Sequence, residues 1–140
     1  MRLAPALALL AVLAAAAPAQ ASTVKVDPSR YGDILTDGKG RVLYLFTKER
    51  TKKARCYRNC ATAWPPFLTK GKPTPGKGTD PKLVGTTKRR NGKRQVTYNG
   101  HPLYYYVTDD QPGEITCQDV FEFGGRWLLV QPGGRPERSQ

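Results

Sequence analysis

Hydrophobic and polar positions change regime sharply along the chain. Residues 3–17 are an almost unbroken apolar run, rich in Ala and Leu, behind one positive residue, Arg2, and ahead of Ala19-Gln20-Ala21. A charged start, an apolar middle and a small-x-small end mark a secretory leader, so residues 1–21 are expected to be a signal peptide cleaved after Ala21. The run is short and Ala-rich for a bilayer span, and no basic stop-transfer cluster follows it. No cysteine stands at the cleavage site to take a lipid, so the expectation is an exported protein without a membrane anchor.

Beyond the leader, short apolar segments are punctuated by turn residues. Ile34-Leu35-Thr36, the turn Asp37-Gly38-Lys39-Gly40 and a return from Arg41 to Thr47 read as a hairpin. Gln95 to Tyr98 leads into Asn99-Gly100, a strong hairpin turn because both residues tolerate positive φ. The return strands are apolar on both faces. Leu43 and Leu45 oppose Tyr44 and Phe46; Leu103, Tyr105 and Val107 oppose Tyr104 and Tyr106. Two-sided apolarity predicts central strands. Trp127 to Val130, between Gly124-Gly125 and Pro132-Gly133-Gly134, reads as a further strand. Only Tyr57 to Trp64, stopped by Pro65-Pro66, suggests a helical turn. Thr69 to Asp80 reads as a Gly/Pro/Lys loop, and 135–140 as a flexible tail.

The two hairpins are copies offset by 60 residues, with Gly40 matching Gly100, Leu43 Leu103, Tyr44 Tyr104, Phe46 Tyr106 and Glu49 Asp109. A tryptophan follows each copy, Trp64 and Trp127. Two units are too few for a solenoid and must share a core. The expected fold is therefore all-β: a small single domain over 22–134, built from two pseudo-repeated β-hairpin units (about 31–68 and 92–132) around one core. All 13 aromatic residues lie past the leader, which predicts an aromatic-dominated interior.

Charge adds a candidate partner. The formal net charge is +12, and residues 48–94 hold 15 Lys and Arg against Glu49 and Asp80 alone. Two basic runs stand out, one with Lys52, Lys53, Arg55 and Arg58, the other with Lys88, Arg89, Arg90, Lys93 and Arg94. Such a face suits a polyanion, or serves as solvated loops that keep an exported protein soluble. No nucleic-acid-binding signature accompanies it, and export argues against nucleic acid.

Three cysteines are present: Cys56, Cys60 and Cys117. On a helical turn, Cys56 and Cys60 would place their Cα atoms about 6 Å apart, within disulfide range. A pair between Cys117 and either of the others would instead tie the two units together. The Cys56–Cys60 spacing exceeds that of a redox dithiol, Ala61 stands where a haem motif needs His, and a zinc site would need three thiolates and the lone His101 to converge. No metal or cofactor is expected. No Gly-x-Ser-x-Gly is present, and the adjacent Asp109-Asp110 sit in a turn, so no catalytic constellation emerges and a non-enzymatic role is expected.

Tyr44-x-Phe46-x-x-Glu49 and Tyr104-x-Tyr106-x-x-Asp109 resemble the paired Tyr-x-(Phe/Trp/Tyr)-x-x-Asp motifs of the bacterial secreted repeat of unknown function. Cys56-x-x-x-Cys60-Ala61 with Trp64-Pro65-Pro66, the segment Gln95 to Tyr104, and Phe123-Gly124-Gly125-x-Trp127 are similar to further parts of that family over about residues 31–133. Glu49 departs from the first motif's Asp, and the lipobox of lipoprotein members is absent. The resemblance implies secretion and a two-repeat domain, and no activity. The motif itself reads as strand aromatics filling a core, with the acid accepting hydrogen bonds in the turn that ends each strand. The other reading is an aromatic-and-carboxylate surface that stacks ring ligands. The function expected is a binding module for an anionic envelope polymer or another envelope protein; the alternative is a thiol-linked redox or electron-transfer accessory protein.

Overall fold

The computed structural model describes residues 1–4, 10–13 and 21–139. Most of the leader, including Ala19-Gln20 of the expected cleavage site, lies outside the described residues. Ordered pairing begins at Thr23. β1 (Thr23–Ser29) and β2 (Gly32–Asp37) form an antiparallel hairpin whose turn places Gly32 at φ 89°. β1 is a strand that the sequence reading did not name. Its apolar positions, Val24 and Val26, alternate with Lys25 and Asp27 but number only two before Pro28, and only Val24 is fully buried.

From β2 the chain turns through Asp37-Gly38-Lys39-Gly40. The Asp37 carboxylate accepts the Lys39 and Arg41 N–H groups, and Gly40 takes φ 87°. The return is bonded to β2 only near the turn, through the Thr36–Val42 bridge. It then runs on as β3 (Tyr44–Phe46) beside another partner. One helical turn, α1 (Asn59–Ala63), ends at the Trp64-Pro65-Pro66 step.

The Gly/Pro/Lys stretch after it contributes β4 (Leu68–Thr69) and β5 (Thr74–Pro75), each two residues long; β5 extends the first sheet in parallel with β1. The second hairpin follows as β6 (Val84–Lys88), β7 (Arg94–Tyr98) and β8 (His101–Pro102), with Asn99 and Gly100 both at positive φ. β9 (Val120–Glu122) and β10 (Gly125–Leu129) close the chain. The architecture is all-β, with strand orders β2-β1-β5, β3-β10-β9 and β4-β7-β6, and β8 also on β7. No helix among the described residues is long and apolar enough to cross a membrane.

The two units interleave. β10, from the second unit, pairs antiparallel with β3 of the first, Trp127 opposite Phe46. Reciprocally, Phe67 of the first unit donates its N–H to Leu103 and accepts from Val96 of the second, and β4 pairs with β7. Each unit's closing segment thus completes the other unit's hairpin. The expected single core is divided by these strands, because successive residues point to opposite sides. Tyr44, Phe46, Tyr104, Trp64 and Trp127 fill one cluster; Leu43, Leu45, Leu103, Val96 and Leu128 fill the other. Residues 135–139, read as a frayed tail, fold back instead. Pro136 bridges Val130, Gln131 N–H donates to Arg135 and Glu137 N–H to Leu129, and the Glu137 carboxylate collects Gln131 and Ser139.

Candidate functional site

Tyr44 and Tyr104 face each other where the units meet. Each donates its backbone N–H to the other's carbonyl, at 2.8 and 2.9 Å. Their hydroxyls cross over as well. Tyr44 Oη donates to Asp109 Oδ2, and Tyr104 Oη donates to Glu49 Oε2. The motif acid of each unit therefore receives the motif tyrosine of the other. The following loop supplies the remaining donors: Arg55 N–H to Glu49 at 2.7 Å, and Thr116 N–H and Oγ to Asp109 at 3.2 and 2.6 Å. The acids were read as local turn acceptors. They do hold their loops, but their tyrosine partners lie 55 and 65 residues away, beyond any local spacing rule.

Burial governs the electrostatics of this exchange. Tyr44, Tyr104 and Asp109 are fully enclosed, and Glu49 is 5% exposed. Desolvation, reinforced by the facing carboxylates, pushes both tyrosine hydroxyls far above their ordinary range, so they stay protonated and donate to those carboxylates. Glu49 Oε1 has no partner among the described residues. Burial pushes this carboxyl up to about 7, while the Tyr104 hydroxyl, the Arg55 N–H and the Arg89 charge pull the other way.

Four rings stack behind the exchange in the order Phe46, Trp127, Trp64, Tyr106. Phe46–Trp127 and Trp127–Trp64 are near-parallel at 4.1 Å, and Tyr106 tilts on Trp64 at 4.7 Å. Tyr44 meets Trp64 edge-on at 5.3 Å, and Tyr104 meets Trp127 edge-on at 5.2 Å. Both indole N–H groups end on Glu122, one on its carboxylate and one on its carbonyl. Of the motif aromatics, Tyr44, Phe46 and Tyr104 are therefore interior, and only Tyr106 is half-buried. They offer no ring-stacking surface. Glu122, an anchor for both tryptophans, carried no sequence signal beyond its place beside the Phe123-Gly124-Gly125 turn.

Cys56 and Cys60 are joined, with Cα atoms 5.2 Å apart, and Cys117 is a free thiol. Cys117 follows Thr116 as Cys56 follows Arg55, so it occupies the same place in the second unit's acid cradle. Burial pushes its thiol up, which disfavours the reactive thiolate. The bridged sulfurs lie inside the core beside Trp64, poorly placed for thiol exchange.

The two basic runs come together at Tyr57. The Arg89 and Arg90 guanidinium carbons each lie 4.3 Å from its ring centroid. Arg89, a polyanion-binding candidate by sequence, is not available: it is 5% exposed and donates to Gln95 Oε1 at 2.8 Å and the Cys56 carbonyl at 2.6 Å. It pins the disulfide loop to the second hairpin. Lys52, Lys53, Arg55, Arg58, Lys88, Arg90, Lys93 and Arg94 are exposed, and none forms an ion pair among the described residues. The acidic stretch after Asp109 does not neutralise them: Asp109 and Glu122 point inward, and Asp119 pairs with Arg126. Lys70 and Ser22, absent from the sequence candidates, join Lys93 and Arg94 around a cleft of about 650 Å³.

Two segments, residues 25–67 and 85–131, match the model of a family described as a secreted repeat of unknown function. The boundaries assign one hairpin and one closing segment to each repeat, the parts that the fold exchanges. No curated protein matches the chain, and no solved structure does.

Proposed function

The chain belongs to the family of secreted repeats of unknown function, and from that footing we propose that it is a non-enzymatic binding module of the extracytoplasmic space whose ligand is an anionic envelope polymer. The observation that carries this reading is that exposed Arg90 of the second run lies over Tyr57, which stands between exposed Arg55 and Arg58 of the first, so two basic runs over thirty residues apart in sequence meet at one ring. Clustered like charges repel, so such a cluster is stabilised when a polyanion neutralises it. The aromatic and acidic motif is the frame: it is enclosed and hydrogen-bonded across the units, and it holds the loop after Glu49 in place. The leader is removed after Ala21, leaving Ser22 first and no lipid; mass spectrometry of the exported protein checks this, and an intact Met1 would contradict it.

The test is binding of purified protein to long poly-glutamate and to dextran sulfate across a salt gradient. Affinity should fall steeply with salt, because the screening length shortens to about 8 Å at physiological ionic strength. Neutralising Lys88, Arg90, Lys93 and Arg94 together should flatten that dependence. Binding that ignores both salt and these substitutions would overturn the reading.

A further inference from the structure

The cleft beside β4 is built around the residue that leader removal exposes. Ser22 is held at three atoms: its N–H donates to Thr69 Oγ1 at 3.2 Å, its Oγ to the Leu68 carbonyl at 2.6 Å, and its carbonyl accepts from Thr74 N–H at 2.8 Å. Thr69 is oriented in turn by its own bond to the Gly71 carbonyl at 2.9 Å. Lys70, Lys93 and Arg94 line the same cleft, and no carboxylate lines it among the described residues. Lys70 and Arg94 also line an adjoining cleft, so the basic wall continues past the first opening.

In the uncleaved chain, Ser22 N is a neutral amide, and its single N–H is already spent on Thr69. After cleavage behind Ala21 the same atom becomes an α-ammonium at neutral pH, with three N–H donors and a full positive charge. One donor stays on Thr69. The added charge stands beside a wall of three exposed cations, Lys70, Lys93 and Arg94. Charge-assisted donors bind oxyanions well, and the bonds at Ser22 hold one of them in place before a ligand arrives, so less ordering remains to be done on binding.

We propose that leader removal completes an anion-binding site here, formed by the Ser22 α-ammonium with Lys70, Lys93 and Arg94, for closely spaced oxyanions along a chain. The inference rests on the polyanion reading above and on cleavage after Ala21. It goes further by locating the ligand and by making binding depend on processing.

The experiment compares three forms of the protein: one beginning at Ser22, one with the Ser22 amine acetylated, and one retaining an acetylated Ala21. Calorimetry at low ionic strength uses inorganic tripolyphosphate and a short glutamate oligomer, which separates phosphate from carboxylate sources. The form beginning at Ser22 should bind at least one probe. Both blocked forms should bind it roughly tenfold more weakly, the scale of one lost charge-assisted contact. Acetyl-Ser22 retains the amide bond to Thr69, so its melting temperature should match the free form and separate charge loss from unfolding. Lys93→Ala should weaken binding of the free form. Equal affinity of free and blocked forms would overturn the processing-dependent site and leave the polyanion reading standing. Failure of the free form to bind either short probe would overturn the site even if long polymers bind; failure with long polymers as well would take the broader reading with it.

Discussion

Removing the Tyr44 hydroxyl is the sharpest probe of the exchanged hydrogen bonds. In Tyr44→Phe, Asp109 keeps Thr116 on Oδ1 but has nothing left on Oδ2, at a site with no exposure. Hydrogen bonds to charged groups contribute about 1.5–3 kcal/mol, and the enclosed carboxylate cannot recover the loss from water. For a domain of this size, at about 4 °C per kcal/mol, the melting temperature should fall by roughly 6–12 °C. Tyr104→Phe should cost less at pH 6 than at pH 8, because Glu49 can take up a proton when its donor is gone, and that carboxyl already sits near 7. Tyr106→Phe is the control: its ring is half-buried and makes no such exchange, so it should shift the melt by less than about 2 °C. The assay is thermal and urea unfolding of the three variants at both pH values. Should Tyr44→Phe melt with the parent, the hydroxyls would be bystanders and the stability of the joint would lie in the ring stack alone.

The contribution of Glu49 to stability should fall as pH rises, while His101, whose pKa burial lowers, works in the opposite sense. Glu49 binds its proton more tightly folded than unfolded, so its stabilisation is full below about pH 4.5 and is lost through about pH 7. The amount is about 3 kcal/mol, read as the difference between the parent and Glu49→Gln in how the unfolding free energy changes from pH 4.5 to 8. Arg89→Ala should cost about 2–4 kcal/mol, since it strips Gln95 and the Cys56 carbonyl of a buried donor, whereas Arg90→Ala should stay within about 0.5 kcal/mol by urea titration. Opening the Cys56–Cys60 loop with paired serines should cost about 2 kcal/mol from chain entropy; alkylation of the unreduced, unfolded protein followed by peptide mapping should label Cys117 alone, and a label on Cys56 or Cys60 would refute the pairing.

Much of the local architecture was legible because it follows from neighbours in sequence. Asn99-Gly100 forms its turn for the reason its φ angles demand, and the two-sided apolar runs at Leu43–Phe46 and Leu103–Tyr104 do divide two clusters. They are not central strands: β3 ends its sheet, and Tyr104 pairs only through single bridges to Tyr44 and Pro66. What escaped depends on who sits across from whom. Nothing in either repeat tells Tyr44 that its acid is Asp109 rather than Glu49, because both acids stand at the same spacing from a tyrosine. Arg89 looked like its neighbours in a basic run. Its burial is set by Gln95 and by a carbonyl 33 residues upstream. β1 escaped because its alternation holds only two apolar residues, Val24 and Val26, before Pro28, while its register is fixed by pairing with β2.

The interleaving has an ancestral reading. Each half supplies the closing strand, the carboxylate and one indole that the other half requires, so a lone half would expose an unpaired tyrosine, an unpaired acid and an open sheet edge. The partner surface that such a half lacks is a near copy of its own. Two separate chains, each with one repeat, would satisfy one another about a two-fold axis running between the residues equivalent to Tyr44 and Tyr104. The present chain is in that sense a homodimer made covalent by the segment near residues 68–84. The halves differ where the exchange does not constrain them: one carries the Cys56–Cys60 bridge, the other Cys117 alone.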